Sequence, residues 1–182
     1  AVARNLDEVE LFGTDISRAS RRHRISVSYV VLEARRSISK NTSETAELSI
    51  HKIIKDCPRI LLKGEPGSGK TTLLKWIAVQ AALAKFPVDL AEFNTTVPFF
   101  IKLRNFADHA LPQPQDFPNL VAQAIIGLMP PKWVHEKLAS GKAFVLIDGL
   151  DELPSTRQED VRKWLNDLTG TFPDARYILS SR

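Results

Sequence analysis

Residues 64–71 constrain the fold of this chain more than any other feature of its sequence. They read Gly-Glu-Pro-Gly-Ser-Gly-Lys-Thr, in which two glycines five positions apart are followed by a lysine and a hydroxyl residue. The segment follows the apolar run 60–62 and precedes a helix-forming stretch at 71–85. A strand, a glycine-rich loop and a helix in this order are typical of a loop that binds the phosphates of a nucleoside triphosphate. A plain glycine-rich turn with an exposed lysine is the alternative.

The residue types in this loop suit phosphate binding for physical reasons. Glycines let the backbone approach phosphate oxygens without a Cβ, and successive N–H groups form an anion-binding nest in front of the positive end of a helix. Lys70 would add a charge on the β- and γ-phosphates, and the Thr71 hydroxyl would be a ligand of Mg²⁺. The residues that we expect to bind the nucleotide here are Gly64, Glu65, Pro66, Gly67, Ser68, Gly69, Lys70, Thr71 and Thr72.

A second motif follows a buried strand. Residues 143–147 form a continuous apolar run, which is typical of a strand buried on both faces of a parallel sheet. The run ends in Asp148, where a carboxylate can hold Mg²⁺ beside a triphosphate, so we predict Asp148 as a metal ligand together with Thr71. One carboxylate of the pair Asp151 and Glu152 would polarise the attacking water. We favour Glu152, although the sequence does not separate the two.

The last segment of the chain carries a candidate sensor. A short apolar strand at 177–179 leads into Ser180, Ser181 and Arg182. A guanidinium group matches phosphate oxygens in a bidentate way, so we expect Arg182 to contact the γ-phosphate. The alternative is that Arg182 comes last only because the chain was cut there. The candidate catalytic residues are therefore Lys70, Asp151, Glu152 and Arg182.

Together these motifs resemble the NACHT family, the nucleotide-binding module of the STAND class of signal-transducing ATPases in animal innate-immune receptors and many bacterial proteins. The most specific feature is the form of the second, Walker B motif, because Asp148 is followed by a small residue and soon afterwards by an acidic pair. Residues 180–182 are similar to the sensor motif of the family, and residues 97–104 to its second-strand segment. Residues 11–15 and 29–32 are similar to the lead-in of bacterial members.

The resemblance implies a slow ATPase that acts as a switch. ADP would hold a closed form, and exchange for ATP with Mg²⁺ would open it, so that oligomers of the chain activate effector domains. Effector and sensor domains of the same chain and further copies of it would be the partners, in innate immunity or anti-phage defence. The resemblance also places the backbone at Val30 near the adenine ring.

The alternative class is an enzyme that hydrolyses or transfers phosphate continuously, either an AAA-type motor or a kinase that acts on a nucleotide or small molecule. A kinase should carry an arginine-bearing lid, and none is recognisable between residues 104 and 142. The Asn-Lys-x-Asp signature of small GTPases and the Leu-Ser-Gly-Gly signature of transporter ATPases are both missing from the sequence. The switch is therefore favoured.

The alternation of strands and helices predicts a three-layer α/β fold with a parallel sheet. The resemblance implies that this fold is an ASCE/AAA-like P-loop NTPase that stops after its sensor-1 strand. We expect residues 1–41 to be a lead-in arm and residues 42–182 the core. In P-loop ATPases of this kind the sensor strand lies between the phosphate-loop strand and the Walker B strand. A capping box, Thr156 to Glu159, should open a helix. Strands are expected at 24–31, 59–63 and 97–103, helices at 42–56, 70–85, 119–128 and 132–140, and a loop at 108–118.

Composition limits the cellular setting. The chain has 182 residues, 43% of them apolar, which suits one domain, and it does not begin with Met, so we expect a piece of a longer protein. No stretch approaches the roughly 20 apolar residues of a membrane helix. The single cysteine, Cys57, excludes an internal disulfide and fits a reducing, cytoplasmic location.

Arginines crowd the first forty residues, although the net charge is only +4. This cluster has no interleaved aromatic residues and no recognisable nucleic-acid-binding motif, so we expect a solvated connector or a contact face for other domains rather than a nucleic-acid partner.

Overall fold

The structure, a computed structural model, describes residue 6 and residues 8–10, 22–24, 33–35, 47–121 and 127–182. Two short antiparallel pairs come first along the chain: β1 (Glu8–Glu10) with β2 (Arg22–Arg24), and β3 (Glu33–Arg35) with β4 (Glu47–Ser49). The principal sheet is parallel throughout. Its strands are β5 (Arg59–Lys63), β6 (Val97–Lys102), β7 (Ala143–Asp148) and β8 (Arg176–Ser181).

The strand order in this sheet is β5-β8-β7-β6. The predicted sensor strand β8 therefore lies between the strand before the glycine-rich loop, β5, and the predicted Walker B strand β7, and this strand order is as expected. All six residues of β7 are buried, which is the pattern of a strand covered on both faces. Because the strands are parallel, the carboxyl ends of β5, β7 and β8 meet at one edge of the sheet.

Five α-helices are described: α1 (Ile50–Asp56), α2 (Lys70–Leu83), α3 (Phe117–Val121), α4 (Trp133–Ala139) and α5 (Gln158–Thr171). Helices α1 and α2 pack on one face of the sheet, against Phe100, Phe144 and Ile178. Helices α3, α4 and α5 pack on the other face, against Phe99, Val145 and Tyr177. The fold is thus the expected three-layer α/β arrangement, with one apolar core on each side of the sheet. Among the described residues, no helix combines the length and the apolar character that crossing a membrane requires.

Several predicted boundaries were wrong. The helix expected at 42–56 begins only at Ile50, because residues 47–49 pair with 33–35 as β4. The loop expected to extend to Pro118 is shorter, since a 3-10 turn at Pro114–Asp116 and then α3 from Phe117 replace its last part, and proline is tolerated in a first helical turn. Helix α2 stops at Leu83, and Ala84 takes the left-handed conformation that ends it. Only part of the strand expected at 24–31 and of the helix expected at 119–128 lies within the described residues.

The predicted capping box is absent. A short 3-10 turn, Ser155–Arg157, precedes α5, whose N-cap is Arg157 and has no side-chain cap hydrogen bond. The Glu159 carboxylate instead accepts two hydrogen bonds from Arg162, at 2.8 and 2.9 Å, and this pairing lowers the pKa of Glu159. Glu159 therefore pairs with Arg162, one turn further along the helix, whereas in a capping box its side chain would accept a hydrogen bond from the backbone.

Candidate active site

Three glycines shape the loop between β5 and α2. Gly67 and Gly69 have φ angles of +80° and +85°, in the left-handed region that residues with a Cβ rarely adopt. Gly69 is also the N-cap of α2, and its carbonyl accepts the Leu73 N–H at 2.8 Å. A Cβ on Gly64 would come within 2.8 Å of the Ser68 Oγ. The loop therefore favours glycine at 67 and 69 because of the backbone conformation, whereas a side chain at 64 would force the Ser68 hydroxyl to move.

The ammonium group of Lys70 lies against the backbone of this loop. Its Nζ donates hydrogen bonds to the carbonyl oxygens of Gly64 and Glu65, the latter at 2.9 Å, and to the Ser68 Oγ at 3.3 Å. The same side chain lines the cleft at the carboxyl edge of the sheet. A full positive charge is thus held beside the N-terminus of α2, where an anion is stabilised by the helix as well.

Asp148 is the point at which the three motifs meet. Its Oδ1 accepts a hydrogen bond from Thr71 Oγ1 at 3.0 Å and another from Ser180 Oγ at 2.8 Å. The carboxylate is 8% exposed. A hydroxyl and a carboxylate in contact are hard oxygen donors of the kind that Mg²⁺ prefers, with waters and phosphate oxygens completing its coordination. Thr71 and Asp148 therefore fit the metal that the sequence predicts.

Gly149 explains how the acidic turn reaches the cleft. It has a φ of +83°, and a Cβ added there would come within 2.8 Å of the Glu152 Cδ. The Glu152 N–H donates to the Gly149 carbonyl at 3.1 Å, which closes the 3-10 turn Leu150–Glu152. Glycine here allows the chain to turn sharply after β7 and the Glu152 side chain to fold over the turn.

The two carboxylates of the acidic turn have different surroundings. Asp151 Oδ2 lies 2.8 Å from Arg182 Nε, with side-chain exposures of 22% for Asp151 and 68% for Arg182. The Glu152 carboxylate has no hydrogen-bond or ion-pair partner within the part of the chain that the structure describes. The ion pair therefore distinguishes two neighbouring acids that the sequence left equivalent.

Positive side chains also collect on the β6 side of Asp148. Partial burial lowers the pKa of Lys75 on α2, repulsion from Lys102 and Arg104 lowers it further, and attraction to Asp148 opposes this. Lys102 stands directly opposite Asp148 in the register of β6 and β7. Lys75 and Lys102 therefore place positive charge near Asp148, although neither of them lines the cleft.

The cleft itself has a volume of about 330 Å³. It brings together most of the predicted site residues, whereas Gly64 and Glu65 do not line it and Val30 falls outside the described residues. Ser180 lines the cleft as well, although sequence reasoning gave its hydroxyl no separate role. The predicted strand order, which puts the end of β8 beside Asp148, was the available signal for it. The predicted residues lining the cleft are Pro66, Gly67, Ser68, Gly69, Lys70, Thr71, Thr72, Asp148, Asp151, Glu152 and Arg182.

A parallel sheet with this strand order, and a phosphate-binding loop between its first strand and α2, define a P-loop NTPase. Residues 58–182 match the family model of the NACHT domain, which is 125 of the 182 residues. The chain therefore belongs to the NACHT domain family and is a nucleotide-binding NTPase module. No curated protein matches the chain.

Proposed function

We propose that this chain is the Mg²⁺-dependent ATP-binding and slowly hydrolysing part of a larger cytoplasmic signalling protein, in which it acts as a nucleotide-dependent oligomerisation switch. The observation that carries the proposal is the convergence of the phosphate loop, Asp148 and the Arg182–Asp151 ion pair on one cleft. Residues 1–41 would be the lead-in and residues 42–182 the core of this module. Innate immunity, or anti-phage defence in a bacterium, is the proposed setting.

The phosphate loop would bind the triphosphate. Its backbone N–H groups and the Lys70 ammonium neutralise phosphate charge, and Thr72 in the first turn of α2 adds a hydroxyl. Thr71 and Asp148 would hold Mg²⁺, which when bound supplies further positive charge to the phosphate oxygens. Hydrolysis then needs little covalent participation by the protein beyond positioning a water and stabilising charge.

Glu152 is the better candidate for the group that orients the attacking water. Asp151 is already held in an ion pair, because its Oδ2 lies 2.8 Å from the Arg182 guanidinium. Glu152 has a carboxylate without such a partner among the described residues, and it lines the cleft. We therefore assign Glu152 as the general base and Asp151 as the residue that holds Arg182.

These roles are tested by three substitutions in the full-length protein. Lys70→Ala should abolish ATP binding, because residues 64–71 lose their only positively charged side chain. Glu152→Gln should bind ATP normally but hydrolyse it about 100-fold or more slowly, as expected for loss of a general base. Asp151→Asn should reduce hydrolysis less than Glu152→Gln, because it changes only the partner of Arg182.

Binding is measured by isothermal titration with ATP and turnover by phosphate release. Lys163→Ala removes an exposed lysine on α5 and serves as the control for Lys70→Ala. Tight ATP binding by Lys70→Ala, or normal turnover by Glu152→Gln, would contradict the assignments.

The switch is tested through the γ-phosphate. A ligand shifts a conformational equilibrium only through a difference in affinity between the two states. Arg182, which lines the cleft, would supply that difference by contacting the γ-phosphate. Mass photometry of the full-length protein should show larger oligomers with ATP and Mg²⁺ than with ADP. Arg182→Ala should remove the difference. Rapid turnover without any nucleotide-dependent change of oligomeric state would favour a motor or a kinase instead.

A further inference from the structure

The hydroxyl of Ser180 is the most enclosed polar group at the cleft that the proposed mechanism does not use. Ser180 lies on β8 and is only 2% exposed. Its Oγ lies 2.8 Å from Asp148 Oδ1 and 2.8 Å from the backbone nitrogen of Gly149. Both contacts cross from the sensor strand to the end of the Walker B strand.

The direction of these two hydrogen bonds is fixed by chemistry. A backbone N–H can only donate, so the Gly149 amide takes a lone pair of the Ser180 Oγ. The Ser180 proton is then available to Asp148, whose carboxylate can only accept while it is ionised. The Ser180 hydroxyl thus accepts a hydrogen bond from the Gly149 amide and donates one to the Asp148 carboxylate.

Two hydroxyl groups therefore converge on one oxygen of Asp148. Ser180 donates to Oδ1 from β8, and Thr71 donates to the same atom from the start of α2. Oδ2 accepts no hydrogen bond from the residues that the structure describes. This asymmetry sets the rotation of the carboxylate, which on its own turns easily because the last torsion of aspartate has a broad energy minimum.

We propose that Ser180 is a positioning residue, which holds the Asp148 carboxylate through Oδ1 and so leaves Oδ2 for Mg²⁺ or its bound water. The inference rests on the proposed function, because it takes Asp148 to be a ligand of Mg²⁺ or of its bound water. The Gly149 contact extends the effect to the acidic turn, since the same hydroxyl holds the first residue after β7. Ser180 acts through Asp148 and not by touching the phosphates.

The test compares nucleotide binding with and without metal in the full-length protein. The probe is a fluorescent methylanthraniloyl derivative of ATP, titrated in excess Mg²⁺ and again in EDTA. The dissociation constant in EDTA divided by that in Mg²⁺ measures how much Mg²⁺ strengthens binding. Ser180→Ala should reduce this ratio about 10-fold or more, the usual effect of removing a group that orients a metal ligand, and should leave binding in EDTA unchanged.

Two further variants separate the hydroxyl from its packing. Ser180→Thr keeps the donor and should keep the wild-type ratio. Ser180→Cys has nearly the size of serine but is a weak donor, so it should behave like Ser180→Ala even if the alanine variant does not fold. Thr96→Ala is the matched control. It removes another buried hydroxyl, which donates to the Phe93 carbonyl at 2.6 Å just before β6, and it should leave the ratio unchanged.

The possible failures are distinguishable. A wild-type ratio in folded Ser180→Ala or Ser180→Cys would overturn the inference and leave the proposed function standing. Weaker binding by Ser180→Ala in EDTA would also overturn it, because it would mean that the hydroxyl contacts the nucleotide directly. If the wild-type protein itself does not bind the probe, or gains nothing from Mg²⁺, the proposed function fails.

Discussion

At the scale of single residues, Gly149 connects backbone strain with the position of the candidate base. Gly149→Ala would place a Cβ at φ +83° and within 2.8 Å of the Glu152 Cδ. We expect a loss of stability of about 1 to 2 kcal/mol from the left-handed conformation. ATP hydrolysis should fall as well, because the Glu152 side chain must move away.

Urea unfolding and phosphate release measure the two effects of Gly149→Ala. Gly170→Ala is the control, since Gly170 lies within α5 with nothing in the way of a Cβ, and alanine should stabilise it by about 0.5 to 1 kcal/mol. Full hydrolysis by a destabilised Gly149→Ala protein would contradict the assignment of Glu152.

Tyr177 gives a prediction that depends on pH. Its hydroxyl donates to the carbonyl oxygens of Leu168 and Phe172, both at 3.0 Å, and burial raises its pKa from 10.0 to about 12. The folded protein thus keeps a proton that the unfolded chain releases above pH 10. The stabilising contribution is complete below pH 10 and is lost as the pH rises towards 12.

Tyr177→Phe should therefore lose less of its free energy of unfolding between pH 10 and 12 than the wild-type protein does. At neutral pH it should cost about 1 kcal/mol, the usual net contribution of a hydrogen bond. Unfolding free energies measured between pH 9 and 12 test both statements. Parallel pH curves for the two proteins would contradict the account of Tyr177.

At the scale of elements, Arg176 ties α1 to the start of the sensor strand. Its guanidinium donates to the carbonyl oxygens of Ile54, Lys55 and Cys57 at 2.7 to 3.3 Å, and it lies 4.3 Å from the centre of the Phe93 ring. Helix α1 has seven residues, which is too short to be stable alone. The helix therefore depends on this side chain to satisfy its last carbonyl groups.

Arg176→Lys should destabilise the protein by about 2 kcal/mol, because an ammonium group does not reproduce the planar fork that serves three carbonyls. Hydrogen exchange of residues 50–56 should accelerate most. Arg162→Lys, which changes an exposed arginine on α5, is the control and should leave both measurements unchanged. Unaltered exchange in α1 of Arg176→Lys would show that the helix is held by its apolar face alone.

The elements also show what could be predicted from the sequence. The strand and helix that flank residues 64–69 and the buried strand β7 depend on local patterns, and these elements were confirmed. Strand β4 was missed because its pairing with residues 33–35 overrides a helical pattern. The contact between Ser180 and Asp148 joins residues 32 positions apart, and only the register of neighbouring strands determines it. The sequence likewise could not predict which of the two adjacent acids, Asp151 or Glu152, pairs with Arg182, since both have the same local pattern.

At the scale of the whole molecule, the account depends on one cleft at the carboxyl edge of a parallel sheet. The phosphate loop, the Walker B turn and the sensor strand reach it from three strands that are distant in sequence. A change of nucleotide would therefore alter the contacts of three elements at once. This is the physical basis of the proposed switch.

The most direct test is to identify the nucleotide that the purified full-length protein retains after incubation with ATP and Mg²⁺. The protein is denatured to release the nucleotide, which is then quantified by chromatography. We expect about one ADP per wild-type chain, the product of a slow P-loop NTPase, and ATP in the Glu152→Gln variant. Absence of nucleotide from both proteins, or ADP in both, would contradict the account.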